Sequence, residues 1–121
     1  MFALTPHHRF YIYRESCDMR KGINGLSGLV RNEMDRDPLS GEVYVFINRS
    51  RNLMKLLIFE NDGYLLYSKR LSAGRFQNRI ATQDAQLLIS YQELQFMIGG
   101  IDLRSIKKRK RFSLKKLEKT A

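Results

Sequence analysis

The stretch from Gly41 to Leu71 constrains the fold most, because it holds three strand-like runs separated by two short turns. Glu42 to Arg49 alternates apolar side chains between two faces, and Leu53 to Glu60 is apolar on both. Tyr64 to Leu71 follows an Asp-Gly pair, which is a strong signal for a tight hairpin turn. The three runs predict an antiparallel meander with its middle strand buried on both faces.

Two more runs are candidate strands. Arg9 to Arg14 is rich in β-formers, and Ala85 to Ile89 is a short apolar run. Residues 72–84 between the meander and the second run lack a pattern and predict an exposed loop. We therefore expect an α+β fold in which an antiparallel sheet of four or five strands carries one main helix.

Helical signals flank the meander. Apolar residues at helical spacing predict a helix from Met19 to about Asp35, with Asp18 as its N-cap. Ser90 and Glu93 match a capping box, which predicts a short second helix ending near Ile98.

Three glycines, Gly22, Gly25 and Gly28, lie in the first predicted helix, where each costs roughly 1 kcal/mol relative to Ala. Two interpretations stay open. The first is close packing of the helix on the sheet, which we favour. The second is a surface that admits the backbone of a partner.

The length of 121 residues suits one domain with one core. Cys17 is the single cysteine, so an internal disulfide is impossible, and no run reaches the ~18 apolar residues that a membrane-spanning helix needs. These features predict a soluble, cytoplasmic protein without membrane contact. The net charge of +10 favours a polyanionic partner.

A cationic group is predicted at one end of the meander. If Asp62 and Gly63 form the hairpin turn, Lys55 lies opposite Arg70, and a slip of one residue sets it opposite Lys69. The neighbouring turn adds two further cations, and no acid is predicted nearby; these turn residues are Arg49 and Arg51. The group either extends into water or binds phosphate.

The second cationic group is the C-terminal tail. Nine of the 22 Lys and Arg residues and one of the 12 acids lie in residues 104–121, so the tail carries +8 of the net +10. We expect residues 1–103 to form the domain and the tail to be flexible, or helical on a partner. Its densest part is a run of five cations: Lys107, Lys108, Arg109, Lys110 and Arg111. Nucleic acid is the favoured partner, and an acidic protein is the alternative.

Signals for catalysis are weak. The chain contains none of the common nucleophile, phosphate-loop or zinc-protease motifs. His7 and His8 are the only histidines and are best interpreted as exposed residues of a terminal arm. We expect neither a catalytic centre, a metal site nor a cofactor; a small metal-dependent nuclease is the least favoured alternative.

The same residues resemble a known family. Asp18-Met19-Arg20-Lys21, the following GINGLSGLV, and the run DPLSGEVYVFINRSRNLMKLLIFENDGYLLYSKRL resemble the TnpB accessory proteins, the second open reading frame products of bacterial insertion-sequence family sixty-six. The resemblance is dense from Arg9 to Arg75. Residues 76–89 depart from the pattern, Leu103 stands where the family often has Trp, and the tail is longer than expected.

The resemblance implies a non-enzymatic role in transposition beside a separate transposase, with DNA binding as the usual supposition. Its matching positions are Asp18, Arg20, Lys21, Gly25, Asn48, Arg49, Arg51, Lys55, Gly63, Lys69 and Arg70. We expect the cations among them and the five of the tail to bind DNA, either at insertion-sequence ends or as non-specific duplex. The alternative is an adaptor that binds the transposase. The sequence leaves the oligomeric state open.

Overall fold

The computed structural model describes residues 4–76 and 84–99, and the backbone of residues 101–102 and 107–108. The elements in chain order are β1 (Phe10–Tyr13), α1 (Ile23–Asn32), β2 (Val43–Ile47), β3 (Leu53–Glu60), β4 (Gly63–Arg70), β5 (Gln86–Ile89), α2 (Tyr91–Gly99), β6 (Ile101–Asp102) and β7 (Lys107–Lys108). The α+β class is confirmed, and each predicted strand is present within a few residues of its expected bounds.

The five-stranded sheet has the order β4-β3-β2-β1-β5 and is mixed, so the prediction of a purely antiparallel sheet is wrong. β1 pairs parallel with β2, with Phe10 opposite Val43, while the other neighbours in this sheet are antiparallel. The reason is the connection. A chain that leaves β1, runs through a helix and returns beside it enters β2 in the same direction.

The alternation predicted for the strands is confirmed, and it divides the core into two layers. Tyr44 and Phe46 face α1, and Val43, Val45 and Ile47 face α2. The α1 layer also holds Tyr11, Tyr13, Cys17, Leu26, Val30, Met34 and Leu57. The α2 layer also holds Phe10, Ile12, Met54, Leu56, Ile58, Phe76, Ile89, Leu94 and Met97.

Helix α1 is shorter than predicted. It begins at Ile23, its N-cap is Gly22 without a side-chain cap, and it ends at Asn32. Asp18 therefore does not cap the helix; its carboxylate accepts the backbone N–H of Arg20 at 2.9 Å in a turn before the helix.

The interpretation that glycines pack α1 closely onto the sheet is wrong. A Cβ added at Gly22 or Gly28 would meet no atom within 4 Å, and one at Gly25 would meet the Lys21 side chain at 3.0 Å. The second interpretation, a surface that admits the backbone of a partner, stays a prediction.

The predicted register of the β3–β4 hairpin is also wrong. Glu60 pairs with Gly63, so Asn61 and Asp62 form the turn, and Lys55 lies opposite Ser68. Asn61 adopts a left-handed conformation with φ of 58°, which Asn tolerates better than most residues. The turn therefore lies one residue before the expected Asp-Gly turn, and neither predicted opposition of cations occurs.

At the other end of the chain, the capping box of α2 is confirmed: the Glu93 N–H donates to Ser90 Oγ at 3.0 Å, and the Ser90 N–H donates to Glu93 Oε1 at 2.8 Å. β6 and β7 form a separate antiparallel pair in which Asp102 lies opposite Lys107.

Residues 77–83 and 109–121 lie outside the described residues. In the part that the structure describes, no helix is long and apolar enough to cross a membrane.

Candidate functional site

Three arginines from distant parts of the chain meet at one end of the sheet, around a shallow groove of about 490 Å³. Arg20 comes from the turn before α1, Arg49 from the β2–β3 turn and Arg70 from the end of β4. The groove is lined by Cys17, Asp18, Met19, Arg20, Asn48, Arg49, Ser50, Leu53 and Arg70. We call this surface the arginine groove.

The β2–β3 turn is built around the side chain of Asn48. Its Oδ1 accepts the backbone N–H groups of Asn52 and Leu53, each at 3.0 Å, and its Nδ2 donates to Asn52 Oδ1 at 2.7 Å. Arg51 closes the turn in the left-handed region, with φ of 58°. Because this network fixes the turn backbone, Arg49 projects from a rigid base into the groove.

Lys55 anchors the turn that carries Arg20. Its Nζ donates to the carbonyl oxygen of Met19 at 2.8 Å and lies 3.3 Å from that of Lys21. A hydrogen bond from a charged donor is worth about 1.5–3 kcal/mol, more than a neutral one. The Lys55 ammonium is therefore bound by backbone carbonyls of the turn that carries Arg20, which gives it a structural role there, and its phosphate binding stays a prediction.

Cys17 fixes the other side of the same turn. Its backbone N–H donates to the carbonyl oxygen of Ile47 at 3.0 Å, and its side chain is buried in the α1 layer. Burial raises the pKa of the Cys17 thiol, so the group is protonated at neutral pH and is a poor nucleophile. The residue serves packing.

The groove contains one carboxylate, Asp18, so the prediction that no acid lies near these cations is wrong. Asp18 Oδ2 accepts from an Arg20 Nη at 2.8 Å, and the hydrogen bonds from the Arg20 side chain and backbone lower the Asp18 pKa to about 2. The Asp-x-Arg spacing is the sequence signal for this pair, and the helix-cap prediction for Asp18 hides it. Arg20 keeps 91% of its side-chain surface exposed.

Arg49 and Arg70 differ from Arg20 in this respect. Both are exposed, and neither has an ion-pair partner among residues 4–76 and 84–99. The groove therefore presents two guanidinium groups without a counter-charge and a third that shares its charge with Asp18.

The remaining predicted cations lie elsewhere. Lys21 is exposed before α1, and Arg51 is half-buried in its turn. Lys69 lies opposite Met54 and faces α2, away from Arg70. The backbone of Lys107 and Lys108 forms β7. Arg109, Lys110 and Arg111 lie outside the described residues.

Metal-binding groups do not assemble in the described ranges: no three His, Cys, Asp or Glu side chains there lie close enough together to hold a metal ion.

Comparison with known proteins identifies the family. A family model described as "IS66 Orf2 like protein" matches residues 8–108, which is most of the chain. "Uncharacterized protein y4hO" of Sinorhizobium fredii is 35% identical over 96 residues, covering 79% of this chain and 83% of that protein. "Uncharacterized protein y4jC" of the same organism is 27% identical over 101 residues, covering 84% and 86%.

No solved structure matches the chain. The family match contains all the residues of the arginine groove and both β6 and β7, and it ends at residue 108. The protein belongs to the IS66 Orf2-like family, the TnpB accessory proteins of bacterial insertion sequences.

Proposed function

We propose that this protein is a non-enzymatic accessory factor of transposition that binds the phosphate backbone of DNA through the arginine groove and the basic tail. The observation that carries the proposal is the convergence of Arg20, Arg49 and Arg70 on one groove with a single carboxylate. Arg49 and Arg70 have no carboxylate partner among the described residues, so a bound anion would supply the counter-charge that the fold there does not.

Guanidinium groups suit phosphate in particular. The planar fork of Arg donates two parallel hydrogen bonds to phosphate oxygens, which Lys does not match. Arg49 and Arg70 come from turn and strand positions with a fixed backbone, so only their side chains must become ordered when an anion binds. The groove would therefore hold one or two phosphates in a defined orientation.

The tail would add affinity without orientation. Its cations from Lys107 to Arg111 form a run that releases counterions on contact with DNA. Phosphate contacts carry no base information, and the groove presents no helix or ribbon to a base edge. We therefore expect weak sequence preference from this protein alone.

The proposal is tested by the affinity for a labelled duplex, measured by fluorescence anisotropy at low salt. The double variant Arg49→Ala and Arg70→Ala should bind about tenfold more weakly than the wild type. Arg31→Ala removes an exposed cation of α1 and serves as the matched control, with a smaller loss expected. Replacing Arg109, Lys110 and Arg111 by Ala should produce a further loss. Undetectable binding by the wild type would reject direct DNA contact. Equal binding by all variants would reject contact through the arginine groove and the tail.

A second candidate function is an adaptor that binds the transposase. It is favoured by the outer surface of α1, where Ile23 is 37% exposed and Gly28 leaves open space at its Cβ position. This function predicts that the purified transposase is retained on the immobilised protein after nuclease treatment and in high salt. Loss of retention under both conditions would exclude it.

A further inference from the structure

Strand β4 lies at one edge of the five-stranded sheet. Among the described residues it pairs with β3 alone, across all eight of its positions, and the sheet order ends on it. An edge strand of this length exposes a row of backbone N–H and C=O groups that can pair with another strand. Its central residue Tyr67 keeps 51% of its surface exposed.

The hydrogen bonds of β3 show which groups of β4 point outward. The Leu71 N–H donates to the carbonyl oxygen of Asn52 at 2.8 Å, so the backbone polar groups of Leu71 face β3. Since these groups alternate along an antiparallel strand, those of the even-numbered residues face the free edge. They belong to Tyr64, Leu66, Ser68 and Arg70.

The charges at the two ends of β4 are opposite. Asp62 lies in the turn before the strand and Arg70 at its end; both are exposed, and neither has an ion-pair partner among the described residues. If both ends of an edge strand carried charges of the same sign, the strand would be repelled by the same strand of a second copy. Opposite charges at the two ends favour pairing, because an antiparallel partner brings the acidic end of one copy beside the basic end of the other.

We propose that β4 pairs antiparallel with β4 of a second copy, with Leu66 opposite its own equivalent. In this register, the outward-facing backbone N–H and C=O groups of the even-numbered residues of one strand meet those of the other. It sets Asp62 opposite Arg70 of the partner subunit, twice in the dimer. It also places the exposed Tyr67 opposite Leu65 of the partner subunit on the α2 face.

The resulting assembly has a continuous sheet made from two five-stranded sheets. A two-fold axis normal to the sheet relates the copies, so both arginine grooves lie on the same face. Eight residues separate Asp62 from Arg70, which places the two Arg70 residues roughly 26 Å apart at about 3.3 Å per residue. A guanidinium has five N–H donors, so Arg70 can pair with Asp62 of the partner subunit and still face its groove.

The test is sedimentation velocity on the full chain without DNA, over a wide concentration series at low salt. The wild type should form a dimer. Asp62→Arg alone and Arg70→Asp alone should each weaken the dimer by about tenfold, because like charges then oppose each other. An equimolar mixture of the two variants should restore dimerisation, because each new charge faces its complement in the mixed pair. A monomeric wild type, or a mixture no more dimeric than its components, would overturn the proposal.

A backbone variant tests the pairing itself. Ser68 has an exposed side chain, and Ser68→Pro removes an N–H that faces the free edge, where proline is tolerated. This variant should melt like the wild type and be monomeric, while the matched Ser68→Ala should be dimeric. A folded Ser68→Pro variant that dimerises like the wild type would contradict pairing along β4. Because these measurements contain no DNA, their outcome is independent of the proposed DNA binding.

Discussion

Two arginine sites lie at opposite ends of α1, and their surroundings differ. After the helix, one Nη of Arg36 lies 3.2 Å from both oxygens of the Glu42 carboxylate, and its guanidinium stacks 3.8 Å from the centre of the Tyr11 ring. The Tyr44 hydroxyl lies 3.1 Å from the same carboxylate. Before the helix, the arginine groove holds Arg49 and Arg70 without a carboxylate partner in the described part of the chain.

The difference separates structural cations from those available to a ligand. Arg36 is half-buried, and its charge is compensated by neighbours within the fold. Lys55 belongs to the same class, because its ammonium is bound by backbone carbonyls. A cation in a family motif can therefore stabilise the fold instead of binding a ligand. The groups that contact the cation, rather than its charge alone, decide between these roles.

The largest effect is expected at the compensated site. Arg36→Ala should lower the free energy of unfolding by about 2–3 kcal/mol, because it leaves the half-buried Glu42 unpaired and uncovers Tyr11. Urea denaturation measures this loss. DNA affinity should fall no further than in Arg31→Ala; a folded variant with a tenfold loss of affinity would break the distinction between the two sites.

Lys55→Met should have the next largest effect. The change keeps the apolar stem and removes the hydrogen bond to the Met19 carbonyl, so we expect a loss of about 1–2 kcal/mol in unfolding free energy. Hydrogen exchange should show faster opening of the turn that carries Arg20. An unchanged unfolding free energy would place Lys55 with the ligand-binding cations instead.

A glycine pair should give a smaller change of opposite sign. Gly28→Ala should raise the melting temperature through a gain of about 0.5–1 kcal/mol, because its Cβ enters open space in the helix. Gly25→Ala should gain less, since its Cβ would lie 3.0 Å from Lys21 Cβ. Equal gains at both positions would show that Lys21 moves aside freely.

The smallest effect concerns the one acid of the groove. Hydrogen bonds from Arg20 lower the Asp18 pKa to about 2, so in a carbon-13 titration its carboxylate should protonate only near pH 2. Because the folded pKa is depressed, this contribution to stability is present above the ordinary carboxylate pKa and is lost as pH falls through about 2. Arg20→Ala should return the Asp18 pKa toward its usual range; an unchanged pKa would mean that Arg20 is not its partner.

The sequence predicted the local features of the fold well. Alternation along β2 gave the two faces of the sheet, and the Ser90–Glu93 spacing gave the α2 capping box. Both signals are local, since they depend on side-chain period and on hydrogen bonds within one turn. The long resemblance gave the family that the comparison confirmed.

Other features depend on long-range geometry. The direction of β2 relative to β1 follows from the path of α1 across the sheet, and no local pattern encodes that path. The hairpin turn lies one residue earlier than expected, at Asn61 and Asp62, which moves the partner of Lys55 by two residues, from Arg70 to Ser68, and removes the expected opposition of cations. Lys55 donates a hydrogen bond to a carbonyl oxygen 36 residues away in the sequence. Its structural role therefore could not be predicted from the residues next to it in the chain.

The salt dependence of duplex binding tests the central claim most directly. If Arg49 and Arg70 each contact a phosphate, the plot of log K against log salt should be less steep by about 1.8 in the double alanine variant, at about 0.9 per contact. Arg31→Ala should leave the slope at the wild-type value. A double variant with the wild-type slope would contradict the claim that the groove binds DNA.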